Sequence, residues 1–82
     1  MKPDMLENKE DLLKLVTQRM PYGKYKDRVL ADLPVSYLEW FHRKGFTAGK
    51  LGVLLSTLLI IKSNGLEHIL TDLRKLSHSQ NG

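Results

Sequence analysis

Basic and aromatic side chains stand together in the run Met20-Pro21-Tyr22-Gly23-Lys24-Tyr25-Lys26-Asp27-Arg28, and no other stretch of this 82-residue chain is as distinctive. Lys24, Lys26 and Arg28 carry the charge needed to neutralise phosphates, and Tyr22 or Tyr25 offers a ring on which an unpaired base can stack. Lys44 and Lys50 extend the set if the fold brings them to the same side. The plainer reading makes the lysines ordinary solvated loop charge. It makes Tyr22, Tyr25, Tyr37 and Trp40 the packing that anchors this segment to the next helix. On that reading Tyr37 and Trp40 belong to the core.

Other chemistry finds little support. His42, His68 and His78 are scattered and form no H-E-x-x-H or H-x-H spacing for a metal. No serine sits in a G-x-S-x-G elbow. The carboxylates Asp32, Glu39 and Asp72 fall in different elements and make no acid–base pair. Gly23-Lys24 is only a fragment of a phosphate-cradling loop, which needs two glycines at fixed spacing, a Lys-Ser/Thr pair and a following helix. The expectation is a protein that is not an enzyme, with no metal and no cofactor.

The elements that must position the basic run are mostly helical. A first helix runs from about Asp4 or Asn8 to Thr17, with Asn8 as a cap, acids in its early turns and an apolar stripe of Leu12, Leu13, Leu15 and Val16. Residues 18–33 read as a short antiparallel β-hairpin. Gln18–Tyr22 and Arg28–Asp32 are its strands, Gly23 and Lys26-Asp27 supply the turn, and Pro21 suits an edge. A second helix starts near Pro34. It ends at Gly45, a left-handed cap position, with Phe46 folding back on Phe41 as in a Schellman motif. A third helix spans Thr47 or Ala48 to Lys62, capped by Thr47. Leu51, Leu54, Leu55, Leu58 and Ile61 follow the helical period, and Val53, Leu59 and Ile60 widen its apolar face beyond a stripe. Such a helix is either the central core element or a dimer contact. Asn64 with Glu67 resembles a capping box that opens a fourth helix, which runs to about Lys75. The fold class expected is therefore α+β: about four helices around one hairpin. A single small domain occupies residues 1–76, and 77–82 read as a disordered polar tail.

Composition bounds the setting. Thirteen basic and nine acidic residues give a net charge of +4, ordinary for solubility, but Arg19, Lys24, Lys26, Arg28, Arg43, Lys44 and Lys50 concentrate it in the middle of the chain. There is no cysteine, so neither a disulfide framework nor a thiolate metal site is available. The first seven residues carry acids where a signal peptide would be apolar. The most apolar stretch, Leu51–Ile61, is too short to span a bilayer. A soluble, cytoplasmic protein with no membrane partner is expected.

The residues quoted above, with Val29-Leu30-Ala31-Asp32-Leu33-Pro34, Tyr37-Leu38-Glu39-Trp40-Phe41, Lys44-Gly45-Phe46, Gly49-Lys50-Leu51-Gly52 and Ile61-Lys62-Ser63-Asn64-Gly65-Leu66-Glu67-His68-Ile69-Leu70, resemble a small bacterial family. Its members are described as putative quorum-sensing-regulated virulence factors, and the family is otherwise a domain of unknown function. The resemblance covers about residues 18–75. A similar glycine-lysine-aromatic-lysine-glycine hairpin occurs beside exonuclease domains of the DNA polymerase proofreading type, which implies, by analogy, an accessory role in binding nucleic acid. This chain has Asp27 where relatives usually carry glycine. Aspartate tolerates a left-handed turn, but its charge works against phosphate binding.

Two functions are expected on these grounds. In the first, a non-enzymatic module contacts DNA or RNA through Lys24, Tyr25, Lys26 and Arg28, extended by Lys44 and Lys50. In the second, the chain is an interaction or regulatory adaptor that uses Val53, Leu59 and Ile60 to form a homodimer or to engage a protein partner.

Overall fold

The computed structural model describes residues 9–81, with side chains from 10 to 77. Four helices succeed one another: α1 (Lys9–Thr17), α2 (Val35–Lys44), α3 (Lys50–Ser63) and α4 (Glu67–Asn81), with a single 3₁₀ turn at Leu30–Asp32 between α1 and α2. α1 lies against α4 and α2 against α3, and α3 also meets α1, α4 and the 3₁₀ turn. Of the two roles open to the broad apolar helix, the structure gives α3 the central one. Its Leu54, Leu55 and Leu58 are fully buried, together with Leu15, Met20, Leu30, Leu33 and Leu38. Each such side chain contributes about 1.5–3 kcal/mol of transfer free energy. Ile60 faces outward at 55% exposure, the most exposed of the large apolar residues described.

The expected α+β class is overturned, because the described residues contain no strand and the fold is all helical. The chain does reverse direction between residues 18 and 33, but the pairing amounts to one isolated antiparallel bridge, Arg19 with Val29. The Met20 N–H donates to the Arg28 carbonyl at 2.8 Å, and the Leu30 N–H donates to the Gln18 carbonyl at 3.0 Å. Both ends of this short ladder are blocked. Pro21 has no N–H with which to extend it. Beyond Pro21 the backbone coils, with the Lys26 N–H on the Gly23 carbonyl (3.2 Å) and the Arg28 N–H on the Tyr25 carbonyl (3.0 Å). These are turn bonds, not rungs. After Val29 the chain tightens into the 3₁₀ turn, with the Asp32 N–H on the Val29 carbonyl and the Leu33 N–H on that of Leu30. The apolar residues that suggested strands are instead plugs, with Met20 and Leu30 fully buried at either side of the loop.

Helix ends depart from expectation in instructive ways. The Asn8 cap and an earlier start for α1 lie outside the described residues. α1 buries Leu13, Leu15 and Val16 and leaves Leu12 exposed. Gly45 ends α2 with φ 96° and ψ 119°, and the Phe46 ring stacks on Phe41 at 6.3 Å. The Schellman bonds are found elsewhere, at the end of α3. There the Gly65 N–H reaches the Lys62 carbonyl, the Leu66 N–H reaches the Ile61 carbonyl, and Gly65 has φ 68°. Asn64 serves this terminus as well, since its side-chain amide donates to the Ile60 carbonyl at 2.7 Å. It closes α3 and does not box the start of α4. The helical backbone of α4 continues to Asn81, through the segment whose polar composition reads as a tail.

Thr47 does not cap α3. Gly49 occupies that position, and the Thr47 hydroxyl is buried without a hydrogen-bond partner. The reason is Gly52. The Thr47 carbonyl oxygen sits where a side chain at 52 would begin, so the connection after α2 crosses directly over the first turn of α3. At the other side of the core, the Lys62 ammonium donates to the Leu33 carbonyl at 2.8 Å. Burial lowers its pKa, and the Arg74 charge adds to that, against the opposing pull of Asp32 and Glu67. Arg74 itself meets Asp32 at 2.9 Å. No helix among the described residues is long and apolar enough to cross a membrane.

Gly52→Ala is expected to destabilise the protein by about 1–3 kcal/mol, because backbone cannot yield to the added methyl as a flexible side chain would. A thermal melt should show a midpoint lower by roughly 4–8 °C per kcal/mol for a chain of this size. An unchanged midpoint would contradict the close crossing.

Candidate functional site

α2 presents two adjacent stripes at helical spacing. Leu38 and Phe41, three residues apart, turn inward and are buried. Tyr37 and Trp40, also three apart but offset by one residue, therefore lie on the flank of the same helix. Their rings stack at 6.0 Å with planes 11° apart. Trp40 remains 43% exposed, so it is not the core residue its type suggested.

The loop is laid against this flank by Tyr25, whose ring meets Tyr37 edge to face at 4.7 Å. Gly23 makes the approach possible. It adopts φ 86°, and a side chain there would start 2.8 Å from the Tyr37 hydroxyl. Arg19 fastens the far end of the loop by donating to the Asp27 carbonyl at 2.8 Å, and Asp27 takes the left-handed conformation at φ 71°.

Between loop and helix lies a cleft of about 470 Å³. The loop contributes Tyr22, Gly23, Lys24 and Tyr25 to its walls, and α2 contributes Ser36, Tyr37, Trp40 and Phe41. Tyr22 stands at the rim, 42% exposed. Cations sit on the rings. Lys24 Nζ is 5.5 Å and Arg28 Cζ 5.4 Å from the Tyr25 centroid, and Lys44 Nζ is 5.9 Å from that of Trp40. These distances fall within the range of cation–π attraction. Burial raises the Tyr37 pKa above its usual 10.0, and the neighbouring Tyr22 and Tyr25 phenols push in the same direction. The Tyr37 phenol on the α2 wall of the cleft is thus a neutral hydroxyl, able both to donate and to accept.

Of the residues singled out from sequence, the fold gathers Lys24, Tyr25 and Arg28 in one loop and brings Lys44 to the Trp40 end of the same aromatic row. Lys26 is exposed in that loop. Lys50 opens α3 and pairs with Asp11 at 3.0 Å, so its charge is engaged across the α1–α3 contact. Val53 and Leu59 are half-buried on α3 beside the exposed Ile60. Among the described residues no group of three or more His, Cys, Asp or Glu could hold a metal ion.

Residues 8–73 match the family described as "Putative quorum-sensing-regulated virulence factor". The chain belongs to this family. It is 48% identical over 68 residues, 82% of this chain and 94% of the relative, to "Uncharacterized protein YpeB" of Escherichia coli strain K12. The protein of the same description from Escherichia coli O157:H7 matches with the same identity and coverage. No solved structure matches the chain. The matched span takes in the loop, α2 and α3 in full, so the cleft lies inside the family's region.

Of the cleft's lining, sequence reasoning singled out Lys24 and Tyr25, with Tyr22 as the other candidate ring, and left Ser36, Tyr37, Trp40 and Phe41 out of the site. A usable signal was present. Two i, i+3 pairs offset by one residue, Leu38–Phe41 and Tyr37–Trp40, give α2 one aliphatic–aromatic face to bury and a second aromatic face for which the short core has no room.

The raised Tyr37 pKa has a definite sign in stability. The folded state holds the phenolic proton more tightly than the unfolded chain, so this contribution is intact below about pH 10 and is lost as pH rises through the folded value. Urea midpoints measured across that range should fall less steeply for Tyr37→Phe than for the parent protein. Parallel curves would contradict a partly buried phenol with a raised pKa at this position.

Proposed function

We propose that this protein is a non-enzymatic accessory module that binds nucleic acid through the loop Tyr22–Arg28 and the flank of α2. The observation that carries the reading is the placement of cations on partly exposed rings: Lys24 and Arg28 at Tyr25, and Lys44 at Trp40. A cation beside an open aromatic face is the pairing that lets a protein neutralise a phosphate while a base stacks next to it. The excess of positive charge in the middle of the chain favours the same class of partner. The absence of cysteine suits work in a reducing compartment such as the cytoplasm. A second reading rests on Ile60, which is more than half exposed on the central helix α3 beside the half-buried Val53 and Leu59. In that case a second copy or another protein covers this face.

Fluorescence anisotropy with labelled single-stranded and duplex DNA and RNA, across a salt series, tests the first reading. Binding should saturate at low salt and weaken steeply as salt rises. Lys24→Glu and Lys26→Glu should each weaken it and flatten the slope of log K against log salt by roughly 0.7 for every phosphate no longer neutralised on a single strand. Both variants should keep their helical circular dichroism, since both side chains are exposed. Absence of binding at low salt, or unchanged binding by the folded double variant, would overturn the reading and leave the Ile60 face as the stronger one.

A further inference from the structure

The cleft contains more than a charged surface needs. Its walls are mostly aromatic, its polar side-chain groups are a few hydroxyls and the Lys24 ammonium, and its volume of about 470 Å³ falls within the range of small-ligand sites. Tyr22 and Trp40 at its mouth leave 42% and 43% of their surfaces in water, although aromatic residues contribute most when covered. The row Tyr25–Tyr37–Trp40 carries cations at both of its ends and none is seen over Tyr37 in the middle.

We propose that this cleft receives one unpaired nucleobase, stacked against the rings of Tyr22 and Trp40, with the phosphates flanking that base held by Lys24 and Arg28 at one end and by Lys44 at the other. The inference rests on the nucleic-acid reading above and deepens it, because it selects single strands. In a duplex both faces of every internal base are covered by neighbours, and only edges and phosphates remain to be read. A single strand can turn a base face into the cleft at the cost of local unstacking only. On the α2 wall, Tyr37 and Ser36 offer hydroxyls that donate or accept, which suits any of the four bases and predicts weak sequence preference. A proline-rich segment also fits aromatic grooves, but it gives the three rim cations nothing to neutralise.

The chain has one tryptophan, so its emission reports on the cleft alone. The test titrates the full chain with a single-stranded thymidine oligomer of about 12 nucleotides, within the usual site size. The same titration is repeated with an abasic oligomer of equal phosphate count, with a blunt duplex of equal length, and with a decaproline peptide. The base-bearing strand should quench Trp40 saturably. The abasic strand should bind roughly 5- to 150-fold more weakly, the equivalent of one base–aromatic stack. Tyr22→Ala, which keeps the tryptophan reporter and removes an exposed side chain, should lose most of that discrimination while its melting midpoint holds. Equal binding of abasic and base-bearing strands without quenching, while Lys24→Glu still weakens both, would overturn the base pocket and leave the phosphate-binding reading standing. Equal or tighter binding of the duplex would also overturn it. Failure of every oligonucleotide to bind at low salt would remove both, and quenching by decaproline alone would reassign the cleft to peptide.

Discussion

The contact on which the site depends is the edge-to-face meeting of Tyr25 and Tyr37 at 4.7 Å. Holding the backbone of an irregular loop in one conformation costs about 1–2 kcal/mol per residue. A ring pair contributes about 0.5–1.5 kcal/mol beyond its area, which cannot offset that cost alone. It works here because the loop is already constrained at its base. Met20 and Leu30 are buried at its two ends, the Arg19–Val29 bridge sets their spacing, and Arg19 ties down the Asp27 carbonyl. Tyr25 then needs only to fix the tilt of a closed loop, and Gly23 removes the side chain that would hold the loop off Tyr37. The cleft is what remains between two surfaces pinned at one edge.

The rest of the fold serves to hold α2 still. α2 lies along α3, and α3 reaches every other helix and the 3₁₀ turn. The crossing of the Thr47 carbonyl over Gly52 fixes how the connection from α2 enters α3. The bond from Lys62 to the Leu33 carbonyl fixes the chain just before α2 begins. Both ends of α2 are therefore held to α3, the far end by a backbone crossing and the near end by a lysine side chain on a backbone carbonyl. The surface pair Arg74–Asp32 adds little energy by comparison, as exposed pairs usually do.

Much of the helical plan could be read from residue order. Period locates α2, α3 and the start of α4 to within a few residues, although α4 runs on to Asn81, past the end expected near Lys75, and the breadth of the Leu51–Ile61 face correctly marks α3 as central. The hairpin could not be judged the same way. Turn chemistry at Gly23 and Lys26-Asp27 between two segments with apolar residues is compatible with a ladder, and only tertiary context shows that Met20 and Leu30 are plugs for a helical core. The capping assignments failed for a related reason. Asn64-Gly65 and Thr47 carry side chains suited to helix starts, but whether such a residue closes one helix or opens the next depends on where the backbone turns. The site was half legible. Charges and tyrosines in one loop announce themselves, whereas Trp40 reads as core until Leu38 and Phe41 of the same helix are seen to form its buried face. Family membership adds the same fold region in YpeB but no partner.

The central claim is that the loop is set against α2 before any ligand arrives, and amide hydrogen exchange on the free protein tests it most directly. The N–H groups of Met20, Asp27 and Leu30, which donate to Arg28, Met20 and Gln18 at 2.8, 2.7 and 3.0 Å, should exchange at rates near those of the α2 and α3 amides. That result would mean the loop opens only when the core does. Exchange of these three at the rate of an unstructured segment, with the helices still protected, would show a loop that is not held in place, and the cleft would not exist as a formed site.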